Sequence, residues 1–439
     1  MSKIDPKDVH EVLSKYMLVD GFDLVLDLRK SKGCRIYDSR RDRWFIDFFS
    51  FFASSPLGCN HPALLEPEFL KKLAEVAVNK PTNSDVYTVE MAEFVDTFAR
   101  LAKPDHFKYL FFIEGGALAV ENALKTAFDW KIRKNLAEGK GEKGEQVIHF
   151  QEAFHGRSGY TLSLTNTFDP RKTMYFPKFK WPRIINPKLR FPLTEENLRE
   201  TIEKEKLAIQ QIQDAIDKNP DDIAALIIEP IQGEGGDNHF RGEFLRELRK
   251  ICDENDIMYI LDEVQTGMGL TGKMWAYQHF DFNPDIVCFG KKTQVCGIMV
   301  SDRVDEVKDN VFKVSSRINS TFGGNLIDMV RCQKYLEVMK EENLVDNARK
   351  QGEVLLKGLR EIEEKYPEKV SNSRGRGLMC AFDLPSPEER DRMKKLLYDN
   401  GILILPCGPR GIRFRPPLTI GEEEINEGLS IIEKSIKSL

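Results

Sequence analysis

The sequence predicts an α/β protein with a mostly parallel central sheet and a smaller α+β domain beside it. Two observations carry this. Short apolar runs alternate with amphipathic segments through the middle of the chain, and the pattern changes after about Asn325. The runs are YLFFI (Tyr109 to Ile113), QVIHF (Gln146 to Phe150), IAALIIE (Ile223 to Glu229), IMYIL (Ile257 to Leu261), DIVCF (Asp285 to Phe289) and GIMV (Gly297 to Val300).

Each run is too short for a core helix and shows no polar face, which is the signature of strands buried on both sides of a parallel sheet. Between them, Leu118 to Leu136 reads as a helix with Ala123, Ala127 and Trp130 on one face, and Phe244 to Asn255 as another. Glu195 to Lys218 is a polar, solvated helix, and EGKGEKGEQ (Glu138 to Gln146) a surface turn. Beyond Asn325 come a long helical pattern (Leu326 to Tyr366), a glycine turn in RGRGLMCAFDL, a helix near Arg390 to Asn400, short β-like runs and a terminal amphipathic helix. The early segments GCRIYDS and WFIDFFSFFA read as strands. The expected division is an N-terminal segment, 1–64, that packs with a C-terminal α+β domain, 326–439, around a large α/β domain, 65–325.

Composition narrows the ligand. Lysine plus arginine total 65 against 70 acids, so a net charge of −5 offers no overall basic field for nucleic acid or anionic lipid. A small-molecule ligand is expected. The opening MSKIDPKDVHEVL has acids and no apolar stretch of signal-peptide length, which predicts a cytoplasmic protein. Eight scattered cysteines contain no CxxC pair, the histidines form no HExxH helix, and no metal site is expected.

The chemistry concentrates at strand ends. IMYIL runs into DEVQTG, placing Asp262 just past a buried parallel strand, where open α/β sheets bind ligands and where a capping aspartate would also sit. DIVCF ends at Gly290, Lys291 and Lys292. GKKT is no phosphate loop of the P-loop type, because Asp285 occupies the position that pattern reserves for its first glycine. A lysine that forms an imine must shed its proton near neutral pH, which a dry strand-end cleft favours, and a fixed carboxylate suits a heterocyclic nitrogen. Together these demands describe pyridoxal 5′-phosphate.

A phosphate needs a cradle, and FFIEGGALAVENALKTA supplies one where Gly115 and Gly116 turn a strand into a helix. STFGGN offers a second, with the Thr321 hydroxyl. EAFHGR brings Phe154, His155 and Arg157 to another strand end, with Phe154 suited to stack on a cofactor ring and Val264 to cover its opposite face.

In EPIQGEGG (Glu229 to Gly236), LDEVQTG (Leu261 to Gly267), NPDIVCFGK (Asn283 to Lys291), STFGGN and IRFRPPL (Ile412 to Leu418), the chain resembles the class III (ornithine and omega) aminotransferases of fold type I over nearly its whole length. That resemblance implies a homodimer. It assigns the cofactor-bearing amine to Lys291, and leaves Lys292 as its neighbour. Asp262 would hold the pyridine nitrogen, Val264 and Phe154 would sandwich the ring, and Gln265 would contact its phenolic oxygen. Gly116 and Ala117 would hold the phosphate, with Thr321 reaching in from the second subunit. Arg157 would take a substrate's far carboxylate and Arg413 the one beside the reacting carbon, with Glu234 masking Arg413 when no anion is there. The chain departs from many relatives in reading Gly-Gly-Ala at the phosphate turn and KTQVCG after Lys291.

FGKKTQVCG, EGGALAVENAL, NKPTNSDVY, FFASSPLGCNHP and FHGRSGYTLSLTNT are similar to the lysine-directed branch of that family. The branch implies transfer of the side-chain amine of L-lysine to 2-oxoglutarate, giving glutamate. Phe48, Phe49, Phe51 and Phe52 are candidates to line the lysine methylenes or to fill core. Ornithine, 4-aminobutyrate or another ω-amine are alternative donors. A catalytically silent binding protein of the same fold is an alternative of another class, and the lack of a helix-turn-helix or basic face argues against a DNA-binding regulator.

Overall fold

The computed structural model describes residues 4–439. Its centre is a seven-stranded sheet of β3 (Phe107–Ile113), β4 (Gln146–Phe150), β5 (Arg183–Ile184), β6 (Ile223–Ile228), β9 (Met258–Asp262), β10 (Ile286–Phe289) and β11 (Cys296–Ser301), in the spatial order β3-β11-β10-β9-β6-β4-β5. The pairs from β10 to β5 are parallel, while β11 runs against both of its neighbours. Every residue of β6, β9 and β10 is buried, as the unbroken apolar runs require.

Alternate side chains enter two different cores. Ala225, Ile227, Ile260 and Cys288 pack with Ala123, Ala127 and Trp130 of the helix Gly116–Ala137. Leu226, Ile228, Leu261 and Val287 join Phe244 and Leu248 of the helix Gly242–Glu254 on the opposite face. The period-two alternation of a strand thus serves two helical layers.

At the N-terminal end, β1 (Arg35–Asp38) and β2 (Arg43–Asp47) form a hairpin, and β14 (Ile402–Leu403) adds in parallel to β2. Residues far apart in sequence therefore share one small sheet. A four-stranded antiparallel sheet, in the order β12 (Ser371–Arg376), β13 (Met379–Asp383), β16 (Gly411–Phe414) and β15 (Leu405–Cys407), carries Arg413. The short hairpin β7 (Ile231–Gln232) and β8 (Asn238–His239) flanks Glu234.

Two segments depart from the pattern their sequences predict. WFIDFFSFFA is a strand only through Asp47, because one Asp47 carboxylate oxygen accepts the N–H groups of Phe49 (2.8 Å) and Ser50 (2.7 Å) and ends the ladder. The chain then takes positive φ at Ser50, Phe51, Phe52 and Ala53, a conformation that non-glycine residues hold only when their surroundings impose it. The pattern from Leu326 to Tyr366 is two helices, Leu326–Glu341 and Leu344–Lys365, broken at Asn343 with φ 53°.

The second of these helices approaches the β12–β13 turn at Gly352, where an added Cβ would lie 2.0 Å from the Gly377 carbonyl oxygen. Gly377 in turn abuts the Thr271 backbone, and Leu378 N–H donates to Leu270 O at 2.9 Å. Helix propensity alone favours alanine over glycine by ~1 kcal/mol, but the clash forces the helix away from its turn. Gly352→Ala is expected to destabilise the protein by roughly 1–3 kcal/mol, seen as a lower melting temperature. An unchanged or raised melting temperature would show that this contact is loose.

Candidate active site

Cys288 faces Asp262 in the ladder between β10 and β9, and Glu263 N–H donates to Cys288 O at 2.9 Å. Both chains therefore leave the sheet together. Beyond Gly290 the residues Lys291–Thr293 form one 3-10 turn, which sends the two lysines in different directions. Lys291 lines a cavity of about 250 Å³ that Asp262, Val264, Phe154 and Gly116 also border. Lys292 is 2% exposed, and its amine donates to the carbonyls of Ala53 (3.2 Å) and Gln265 (2.8 Å). Burial pushes both amines below the usual lysine range. For Lys291 the Arg413 charge pushes the same way and Asp262 opposes it. Geometry separates the two lysines, since one amine faces the cavity and the other is spent on backbone.

Asp262 is held from both sides. Its Oδ1 accepts the Val264 N–H at 3.0 Å, and its Oδ2 lies 2.8 Å from Nδ1 of the buried His155. A second carboxyl group, Glu229, lines the same cavity and accepts the N–H groups of Phe154 (2.9 Å) and Gly233 (3.0 Å). Burial raises the Glu229 pKa to about 7, with His155 opposing and Asp262 adding to the shift. Sequence reasoning placed Glu229 in a motif without a role, and here it ties together two of the cavity's turns.

The end of the cavity at Gly116 is built for close approach. Gly115, with φ 91°, turns β3 into the helix Gly116–Ala137, and a Cβ on Gly116 would sit 3.0 Å from Val264 Cγ1. A helix begins with N–H groups that have no intrahelical partner, and here that end opens beside Ala117 at the cavity wall. No hydroxyl stands in Gly-Gly-Ala, so backbone donors carry this turn.

Not every expected residue converges. Phe154, Val264, Gln265 and Glu234 line the cavity with Lys291 and Asp262. Arg157 is exposed on the turn after His155 and lies outside that lining. Thr321 is also exposed and outside it, on a segment that Asn83 and Ser84 hold through the backbone of 320–324. None of Phe48, Phe49, Phe51 and Phe52 borders the cavity, and Phe48 packs against Phe414 with ring centroids 5.4 Å apart.

Glu234 and Arg413, expected to pair when no substrate anion is bound, form no ion pair in this structure. Glu234 Oε1 instead pairs with the Lys172 amine and accepts the Thr167 hydroxyl at 2.9 Å. Arg413 is buried, reaches Gln265 Oε1 only at 3.5 Å, and leaves its Nε without a partner. Gln265 Oε1 is already taken by Arg415, at 3.0 Å from Nε and 2.8 Å from Nη2. Arg415 is neutralised by the buried Asp237, but Arg413 has no such counter-charge among the described residues.

An amine of lowered basicity, a fixed carboxylate, two apolar side chains and an open helix N-terminus around one cavity fit pyridoxal 5′-phosphate. Among the described residues no group of three or more histidine, cysteine, aspartate or glutamate side chains is arranged to hold a metal ion.

A fold and site of this kind define a cofactor-dependent transferase of the aminotransferase type. The family model for class-III aminotransferases matches residues 17–436, and the chain belongs to that family, whose members depend on pyridoxal phosphate. Over 433 residues it is 53% identical to the L-lysine-epsilon aminotransferase of Mycobacterium tuberculosis, covering 98% of this chain and 96% of that one. The L-lysine-epsilon aminotransferase of Amycolatopsis lactamdurans is 50% identical, with 99% and 96% covered. A solved structure of lysine aminotransferase from M. tuberculosis in the internal aldimine form superposes with a TM-score of 0.97 at 52% identity, covering 99% of this chain and 100% of that one.

Lys291→Ala is expected to abolish the visible absorbance of protein-bound cofactor. Lys292→Ala keeps that absorbance but leaves two buried carbonyls without a donor, at a cost of about 1–3 kcal/mol in stability. Absorption spectra and melting curves of both variants check this, and the reverse pattern would exchange the two roles.

Proposed function

We propose that this chain transfers the ε-amino group of L-lysine to 2-oxoglutarate. The products are glutamate and 2-aminoadipate 6-semialdehyde, which cyclises to 1-piperideine-6-carboxylate. The observation that carries the reading is near-full-length identity of about half to relatives named for this donor. Human mitochondrial 4-aminobutyrate aminotransferase is only 31% identical over 92% of the chain.

When bound, the cofactor supplies an electron sink for the charge left as a proton departs the substrate carbon. The Lys291 amine holds and moves that proton, a task suited by its lowered basicity. Asp262 keeps the ring nitrogen protonated, and His155, hydrogen-bonded to it, fixes the carboxylate's direction. Val264 and Phe154, which line the cavity, would pack the ring faces, and Gln265 would contact the phenolic oxygen. Gly116 and Ala117 would hold the phosphate through backbone N–H groups, joined in a homodimer by the partner's Thr321. Exposure of Thr321 outside its own chain's cavity supports that reading.

Arg157 binds the far carboxylate of either substrate and Arg413 the carboxylate beside the reacting carbon of 2-oxoglutarate or glutamate. With lysine held by its ε-end, no anion sits by Arg413, and Glu234 covers it instead. A cytoplasmic setting accords with cysteines that are all unpaired among the described residues, where no helix is long and apolar enough to cross a membrane.

The test is to supply the cofactor-loaded protein with 2-oxoglutarate and L-lysine, L-ornithine or 4-aminobutyrate. Glutamate and the o-aminobenzaldehyde adduct of the cyclic imine are then measured. Glutamate together with the six-membered imine from lysine alone is expected. Turnover only with another donor would discard the lysine assignment, and no turnover with any would favour a silent binding protein.

A further inference from the structure

Two cations stand near the Glu234 carboxylate: Lys172, and Arg413, whose charge Glu234 offsets and whose Nη1 lies 3.5 Å from the Gln265 Oε1 against which the adjoining Gly233 packs. Lys172, at the end of the short turn Pro170–Lys172, pairs with Glu234 Oε1, and Thr167 Oγ1 donates to the same oxygen at 2.9 Å. Thr167 is itself held, since its hydroxyl oxygen accepts the Asp169 N–H at 3.3 Å. The loop starts from Thr165, whose hydroxyl accepts the His155 N–H at 3.0 Å and donates to Gly156 O at 2.7 Å. The anchor for Glu234 is thus tied to the strand end that carries His155. Glu234 Oε2 and Arg413 Nε, meanwhile, are both buried with no partner.

From this arrangement we propose that Lys172 and Thr167 form a resting place for Glu234, which keeps Arg413 open to dicarboxylates. Lys172 is then a positioning residue for the dicarboxylate half of the reaction, an inference that rests on the functional reading above for its purpose. The physical case is a competition. Arg413 is buried, so its attraction for Glu234 acts through little water and is strong. The Lys172 side chain is 31% exposed and its charge is partly screened, but it adds a charge-assisted hydrogen bond that the Thr167 hydroxyl reinforces. Near balance lets the carboxylate move between the two cations as the substrate changes. Without Lys172, Glu234 is left to Arg413, and an incoming dicarboxylate must displace it.

The test uses the cofactor-loaded protein and glutarate, an unreactive dicarboxylate, titrated by calorimetry. Binding needs no turnover, so the result stands whether or not lysine proves to be the donor. Lys172→Met is expected to weaken glutarate about tenfold, and Lys172→Arg to retain the affinity. In a Glu234→Gln background, Lys172→Met is expected to have no effect, because no carboxylate remains to be released. Unchanged glutarate affinity in Lys172→Met would overturn the proposal. So would an equal loss in the Glu234→Gln background, which would mark Lys172 as a support for the loop alone.

Discussion

Because Cys288 and Asp262 face each other in a parallel ladder, β9 and β10 leave the sheet side by side, and a carboxylate and a lysine turn arrive at one cavity. Parallel strands end at the same edge, so this convergence needs no long reach from either side chain. The remaining parts are arranged around that edge. β3 ends at the same place and hands over to a helix N-terminus through Gly115, and the segment after β4 brings Phe154 and His155. Lys292 then fastens the lysine turn to Ala53 and Gln265, joining the N-terminal segment to the sheet edge.

Much of this was legible in the sequence, because a buried parallel sheet writes its strands as unbroken apolar runs and its ligand edge as polar residues directly after them. The six runs all appear as strands, and Lys291, Asp262, Gly116 and Val264 line one cavity. What escaped depends on contacts between distant residues. No local pattern shows that the Asp47 carboxylate ends a strand, or that Asn343 adopts positive φ. Lys172 and Glu234 lie sixty-two residues apart, on a loop and a hairpin whose meeting only the fold determines. Resemblance suggested which of the adjacent lysines faces the cavity, but the reason lies in two backbone carbonyls contributed by other segments.

The electrostatics of the site follow from dryness. The cavity-facing Lys291 amine and the buried Lys292 amine are pushed down, the buried Glu229 carboxyl is pushed up, and Arg415 is tolerated because Asp237 neutralises it. Arg413 stands apart as a buried cation with no ion pair among the described residues, near a carboxylate that another cation holds. An unmatched charge of this kind is costly to stability and useful for recognising an anion that comes and goes. Under the proposed reaction, the same cavity would serve substrates that differ by one carboxylate at the reacting end.

The central claim is that the amine facing this cavity holds the cofactor while its neighbour holds the backbone. Borohydride reduction of the cofactor-loaded protein, followed by peptide mass mapping, fixes the cofactor to whichever amine carries it. The account predicts a single modified residue, Lys291. Modification of Lys292, or of a lysine outside the turn after β10, would contradict it.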